Sequence, residues 1–237
     1  MIKAYYTGAN GAAGNKNYLD VISNNMANIQ TVGFKKSKPE FSDLIYTNIR
    51  GAEGANTGLK SGSGSKIGKI DVIFSQGAPF RTGVPTDFAI TGDGFFAVQF
   101  EDENLFTRGG SFEIVNMDDE NYLMYQGGYV LSSEEEPIIL EEGYPLSSED
   151  IGVFTFENNS SLQQAGNNLY RISSEDGEYN VTEKSETKVL QGFLEASNVE
   201  ASEEMVKLIQ IQRAFQLNSN VIQTADQIEQ VINSLRG

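Results

Sequence analysis

Apolar residues recur every three or four positions through the last part of the chain: Val206, Ile209, Ala214, Phe215, Val221, Ile222, Ala225, Ile228, Ile232 and Leu235. That period predicts a single helix over 200–235. Neither Pro nor Gly interrupts it before Gly237, and Ser202 with Glu203 and Glu204 behind it supplies a capping region. Leu208, Phe215 and Ile222 stand seven apart, as do Ile211, Asn218, Ala225 and Ile232. This is a coiled-coil-like seam with one polar position, Asn218. At 1.5 Å per residue such a helix runs about 50 Å, long for the surface of a small domain.

The other end repeats the period. Tyr5, Ala9, Ala12, Leu19, Ile22, Met26 and Ile29 share one face of a helix predicted over 4–29. Gly8, Gly11 and Gly14 thin it, each costing up to about 1 kcal/mol against Ala. Such a helix forms best against a partner at close range. The segment lacks the G-x-x-x-x-G-K-[ST] order and a preceding strand, so it is no phosphate loop.

Between the helices the period falls to two. Strands are predicted over 69–74, 88–90, 94–100, 122–125, 128–131, 137–140, 151–156 and 168–172. Short strands with Gly- and Asn-rich turns indicate an antiparallel sandwich or barrel. Residues 51–68, rich in Gly and Ser, read as a link. The fold class is therefore α+β: a β-rich antiparallel body inserted between N- and C-terminal helices that pair as a coiled-coil-like helical domain. The expected divisions are 1–35 (first helix), 36–75 (extended link), 76–193 (body) and 194–237 (second helix).

Composition narrows the chemistry. The 237 residues include no Cys and no His. That removes disulfides, thiolate and imidazole catalysis, and most zinc sites. Net charge is −16, which argues against nucleic acid or an anionic membrane as partner. No apolar run is long enough to predict membrane insertion, and the first residues hold no apolar core of a cleavable signal. The charge is concentrated: residues 100–150 carry fourteen Asp/Glu against one Arg, Arg108. Consecutive acids such as Glu134, Glu135 and Glu136 are not placed on one face of a strand. They read as solvated turns. Arg108 and Arg213 read as partners in structural ion pairs. No residue is assigned to catalysis, to a cofactor or to a metal.

The ends carry a resemblance. Leu19-Asp20-Val21-Ile22-Ser23-Asn24-Asn25-Met26-Ala27-Asn28, then Thr31, Gly33, Phe34 and Lys35, is similar to the signature of the flagellar basal-body rod and hook family, L-D-x-[IV]-x-N-N-[IL]-A-N-x-x-T-x-G-F-K. The middle agrees at Asp87, Ala89, Ile90, Gly92, Gly94, Phe95 and Phe96, and again at Thr107, Arg108, Gly110 and Phe112. Phe106 stands where the family usually has Tyr. Gln191, Gly192, Leu194, Glu195, Ser197, Asn198, Val199, Glu204, Met205, Gln212-Arg213-Ala214-Phe215, Asn218, Thr224 and Asp226 continue it. The likeness is weakest over 115–149.

The resemblance implies a structural, self-assembling subunit of a bacterial flagellar basal-body rod, the hollow axial drive shaft between motor and hook. It implies terminal helices that line the tube and a β body outside them. The subunit-interface residues expected are Leu19, Ile22, Asn24, Asn25, Met26 and Asn28 on the first helix. Leu208, Ile211, Phe215, Ile222 and Ile232 are expected on the second. The three asparagines are expected to cap the helix end and bond its last carbonyls. The length leaves no room for the extra domain of hook proteins, and residues 46–68 look more like the distal-rod type than the proximal. Expected partners are copies of the chain, other rod subunits, hook-side axial proteins and the type III export apparatus, which passes the chain without a cleaved signal. Phe41 and Ile45 resemble an element read by the export gate. The acidic turns are expected to face outward, either toward a basic partner such as a surrounding bushing ring or simply to confer solubility. A competing reading makes the chain a non-flagellar surface β-domain with calcium- or carbohydrate-binding acidic turns.

Overall fold

The computed structural model describes residues 2–48, 60–100, 103–117, 119–140, 146–156, 158–173, 179–181 and 187–236. The chain forms two units, each assembled from separate stretches. Residues 1–27, 37–71 and 200–237 form a helical unit, and 28–36 with 72–199 form a β unit.

In the helical unit, α1 (Ile2–Ala27) packs along α2 (Ala201–Arg236). Strands β1 (Ser37–Asp43), β2 (Thr47–Asn48), β3 (Lys60–Ser61) and β4 (Ser65–Val72) complete it. β1 pairs with β4, and β2 with β3. The Gly- and Ser-rich stretch expected as a link thus contributes strand at Lys60–Ser61 and from Ser65 onward; residues 49–59 lie outside the described residues. Glycine makes the helix pairing close. A Cβ on Gly8 would stand 3.2 Å from Ile222 Cγ1, and one on Gly11 would stand 2.8 Å from Asn218 Nδ2. The third glycine serves a different neighbour. A Cβ on Gly14 would meet the Phe41 ring at 3.2 Å, and that ring also packs edge-on against Tyr18.

The β unit holds β5 (Pro79–Arg81), β6 (Phe88–Thr91), β7 (Phe96–Phe100), β8 (Glu103–Thr107), β9 (Glu113–Met117), β10 (Glu120–Tyr125) and β11 (Gly128–Val130). It continues with β12 (Ile139–Leu140), β13 (Phe154–Phe156), β14 (Leu162–Gly166), β15 (Leu169–Ile172), β16 (Tyr179–Val181), β17 (Lys188–Gln191) and β18 (Phe193–Glu195). Eight strands form one antiparallel sheet in the order β12-β10-β11-β7-β8-β15-β14, with β9 also on β10. β6 pairs with β17, β5 with β18 and β13 with β16.

Strand alternation gives the large sheet two apolar faces. Phe96, Val98, Leu105, Leu123, Tyr125, Val130 and Leu169 point one way and join Phe88, Ile90, Phe112, Ile151 and Val153 in the larger core. Ala97, Phe106, Leu131, Leu162 and Tyr170 point the other way and meet Phe95, Phe154, Val72 and Phe74. Phe106, the departure from the family pattern, is fully buried in this second core beside Phe154 and Phe156.

Candidate functional site

The sequence motifs come together in three places. The first is the helix pair. α2 has a set of less exposed positions that includes Leu208, Ile211, Asn218 and Ile222, with Ala225 buried among them. Gly8 and Gly11 of α1 lie against Ile222 and Asn218. The heptad seam expected between subunits is therefore engaged within the chain. On α1, Ile22 is fully buried and Asn25 nearly so, whereas Leu19 and Met26 are half-buried. Phe215 and Ile232 sit on the same seam and remain partly exposed.

Sequence reading missed a second seam. Leu217, Val221, Thr224, Ile228, Val231 and Leu235 follow one another by four, three, four, three and four residues. That is a heptad spacing. The seam lies two residues from the Phe215–Ile222 register, which turns it away from that register at about 100° per residue, although Val221 Cγ1 still borders α1, 3.6 Å from where a Cβ on Gly8 would stand. Every one of these residues is exposed, Leu217 at 65% and Leu235 at 81%. Beyond Ala225 the rest of α2, through Leu235, is exposed on all sides.

The second place is the end of α1. Asn25 Oδ1 accepts from Ser37 N at 2.9 Å while Asn25 Nδ2 donates to Ser37 O at 2.9 Å. The amide thus pairs with Ser37 as a neighbouring strand would. Asn25 Nδ2 also reaches Glu204 Oε2 at 3.2 Å, and Glu204 Oε1 accepts from Lys207 Nζ at 2.6 Å. Burial opposes the Lys207 charge, but the bond to Glu204 raises its pKa all the same. For Asn25 these contacts differ from the capping expected of it: it ties the strand after the helix to the start of α2. Asn28 lies beyond the helix and accepts from Thr31 Oγ1 at 3.1 Å, and Asn24 is exposed. α1 stops at Ala27, short of the predicted 29, because a turn follows in which Asn28 O accepts from Thr31 N.

The third place is a buried ionic cluster in the β unit. Glu195 Oε1 accepts from Lys35 Nζ at 2.6 Å and from Gly77 N at 2.7 Å. Its Oε2 accepts from Arg108 Nη1 at 3.4 Å. Lys35 also donates to Ser75 O, and Arg108 to Gly92 O. All three side chains are at most 2% exposed. Desolvation pushes the Lys35 ammonium below its usual range, partly countered by Glu195, and lowers Arg108 likewise. The guanidinium packs over Phe95 at 5.2 Å, and its Nε is the one buried side-chain polar atom among the described residues without a hydrogen bond. Gly33 fits only as glycine: φ is +67° and a Cβ would lie 2.5 Å from the Arg108 carbonyl carbon. Arg108 was legible as an ion-pair residue; its partners were not.

Of the export-element residues, Phe41 lies in β1 and is 44% exposed, while Ile45 is 84% exposed in the loop after it. Among the described residues no group of three or more Asp and Glu is placed to hold a metal ion, and no helix is long and apolar enough to cross a membrane.

Residues 6–35 match the flagella basal body rod protein family, residues 89–169 the flagellar hook protein FlgE/F/G D1 domain, and residues 190–235 the flagellar basal body rod FlgEFG protein C-terminal family. The flagellar basal-body rod protein FlgG of Bacillus subtilis (strain 168) is 36% identical over 263 aligned positions, spanning 100% of both chains. The chain belongs to the flagellar basal-body rod family. The FlgG protein of Borreliella burgdorferi is 35% identical across 100% of this chain and 99% of its own. The FlgF protein of Mesorhizobium japonicum is 33% identical over 92% and 91%. As a family member the chain is a structural subunit of the flagellar basal body, assembling with other rod and axial subunits. The competing reading as a calcium- or carbohydrate-binding surface domain is without support, since the matched segments are those of rod proteins.

Proposed function

We propose that the chain is a distal-rod subunit, without catalytic activity, that polymerises through the second heptad seam of α2. The observation that carries this reading is the exposed seam of Leu217, Thr224, Ile228, Val231 and Leu235, turned away from the seam taken up by α1; Val221, in the same register, is exposed but borders α1 at Gly8. One helix with two apolar seams pairs once inside its own chain and once outside it. The distal assignment is supported by the end-to-end similarity to FlgG proteins. At 237 residues the chain is shorter than the 263 aligned positions, yet it spans the relative completely.

The chain reaches the rod through the flagellar type III apparatus without a cleaved signal, and Phe41 and Ile45 are its gate element. The interface residues proposed from the sequence then divide by role. Ile22, Asn25, Leu208, Ile211 and Ile222 set the shape of the helix pair. Phe215 and Ile232, with the second seam, meet neighbouring subunits.

The test is Leu217→Asp with Ile228→Asp in the full chain. Two charges placed in a helix–helix seam cost several kcal/mol unless paired, about enough to abolish association. Sedimentation velocity is expected to show monomer where the parent polymerises, with an unchanged melting transition of the β unit. Polymers of normal length from the double variant reject the seam.

A further inference from the structure

The β unit carries a second exposed apolar surface, far in sequence from the helices. Where the second core covers one face of the large sheet, it does so at Ala97, Phe106, Leu131 and Tyr170. Farther along that face the register brings other residues together. Met117 lies opposite Glu120, Val115 and Ile139 both lie opposite Tyr122, and Glu113 and Tyr129 both lie opposite Met124. Directly paired residues share a face, so these residues form one continuous surface. The Tyr122 and Tyr129 rings pack edge-on at 5.2 Å, and Tyr129 OH donates to Met117 Sδ at 3.5 Å. Ile139 remains 47% exposed and Met117 41%.

The border of this surface is acidic. Glu113 and Glu120 share its face and are exposed, Glu120 accepting from Tyr122 OH at 2.6 Å. Glu134, Glu135 and Glu136 are exposed in the turn that joins β11 to β12. Between Arg108 and Arg171 the sequence has no Lys or Arg at all.

We propose that this aromatic and methionine surface docks a different protein, one that presents an apolar side chain flanked by Lys or Arg. Tyrosine and methionine at the centre with charge at the rim is the usual anatomy of a protein contact. The sign of the rim selects the occupant. A second copy of the same surface would bring like carboxylates together, which costs several kcal/mol and suppresses a wrong partner. A basic partner gains from the same groups. The inference does not depend on how the helices polymerise.

Three seven-residue probe peptides test it against the full chain: alternating Lys and Leu, alternating Lys and Ser, and alternating Glu and Leu. Binding is read by tyrosine fluorescence, which is clean because the chain has no Trp. The Lys/Leu peptide is expected to saturate, the Lys/Ser peptide to bind about tenfold more weakly, and the Glu/Leu peptide not at all. Met117→Ser with Ile139→Ser changes two exposed side chains, one of which accepts from the Tyr129 hydroxyl. It is expected to weaken the Lys/Leu peptide about tenfold and leave the Lys/Ser peptide unchanged, with melting unaltered. If the double variant binds Lys/Leu as the parent does, the surface attracts charge alone and the proposal is wrong. It is equally overturned if this variant, and not the helix variant, loses self-association, for then the occupant is a second copy.

Discussion

Glu195 is the residue on which most of the buried polar structure turns. It faces two cations and one backbone N–H with its two oxygens, so removing its charge strands both Lys35 and Arg108. Breaking a buried ion pair at one partner costs about 3–5 kcal/mol, because an uncompensated charge stays behind. Glu195→Gln is therefore expected to lower the unfolding free energy of the β unit, read from urea titration, by about that amount. The triple change Lys35→Met, Glu195→Met and Arg108→Met is expected to recover most of the loss, since apolar replacements of similar volume often match a buried ionic group. A Glu195→Gln variant as stable as the parent contradicts this account. Neither ion pair was legible beforehand. The residues lie 160 and 87 positions apart, and a charged residue inside a motif reads equally well as solvated or paired. Gly33 and Asn25 were visible as motif members, but only their neighbours explain them.

At the scale of elements, both helices and many of the strands were legible because one apolar face repeats at a fixed period. The second seam of α2 escaped for the same reason. Apolar residues on two sides of a helix satisfy a three- and four-residue spacing together, and the first register found absorbs the signal. β8 and β9 were missed because Glu103, Asn104, Glu113 and Asn116 look like turn residues, and their faces show only beside β7 and β10. β1 has no alternation to find, since most of it is exposed. The glycines of α1 give a sharp expectation. Gly8→Leu forces bulk against Ile222 and the Asn218 carbonyl oxygen, and overpacking costs typically 1–3 kcal/mol. Gly8→Ala needs only a few tenths of an ångström from Ile222 Cγ1 and gains about 1 kcal/mol of helix propensity. Circular dichroism melts of the helical unit should fall for Gly8→Leu and stay level or rise for Gly8→Ala. Equal destabilisation by both would mean that α1 and α2 do not approach closely at Gly8.

Over the whole molecule, apolar burial is uneven. Both large hydrophobic clusters belong to the β unit. The helical unit leaves Tyr6, Met205, Val206, Leu217 and Val231 more than half exposed. Opening free energies follow buried apolar contact, so amide exchange on the monomer is expected in three tiers. The α2 residues after Ala225 exchange first, the paired parts of α1 and α2 next, and β7, β8 and β10 last. Polymerisation should then slow the first tier most. A single rate for all three, or protection of the α2 tip in the monomer, would set this order aside. The division into two units was only half visible in the sequence. The boundary at Ala27 depends on a turn and on Gly33, and residues 28–36 look continuous with the helix until their hydrogen bonds to the β unit are seen.

Asn198 joins three stretches of backbone. Its Oδ1 accepts from Lys36 N at 2.7 Å and its Nδ2 donates to Ile73 O at 2.7 Å, while Ile73 N bonds Lys36 O at 2.9 Å. Residues 36, 72 and 199 are three of the four ends at which the chain leaves the β unit. One side chain therefore laces three tethers together. Tension on any one of them is then expected to load the bonds of Asn198 as well as the backbone it pulls on. In a shaft under torque, the first bonds to yield would be those of this knot, and they re-form without refolding the sheet behind it.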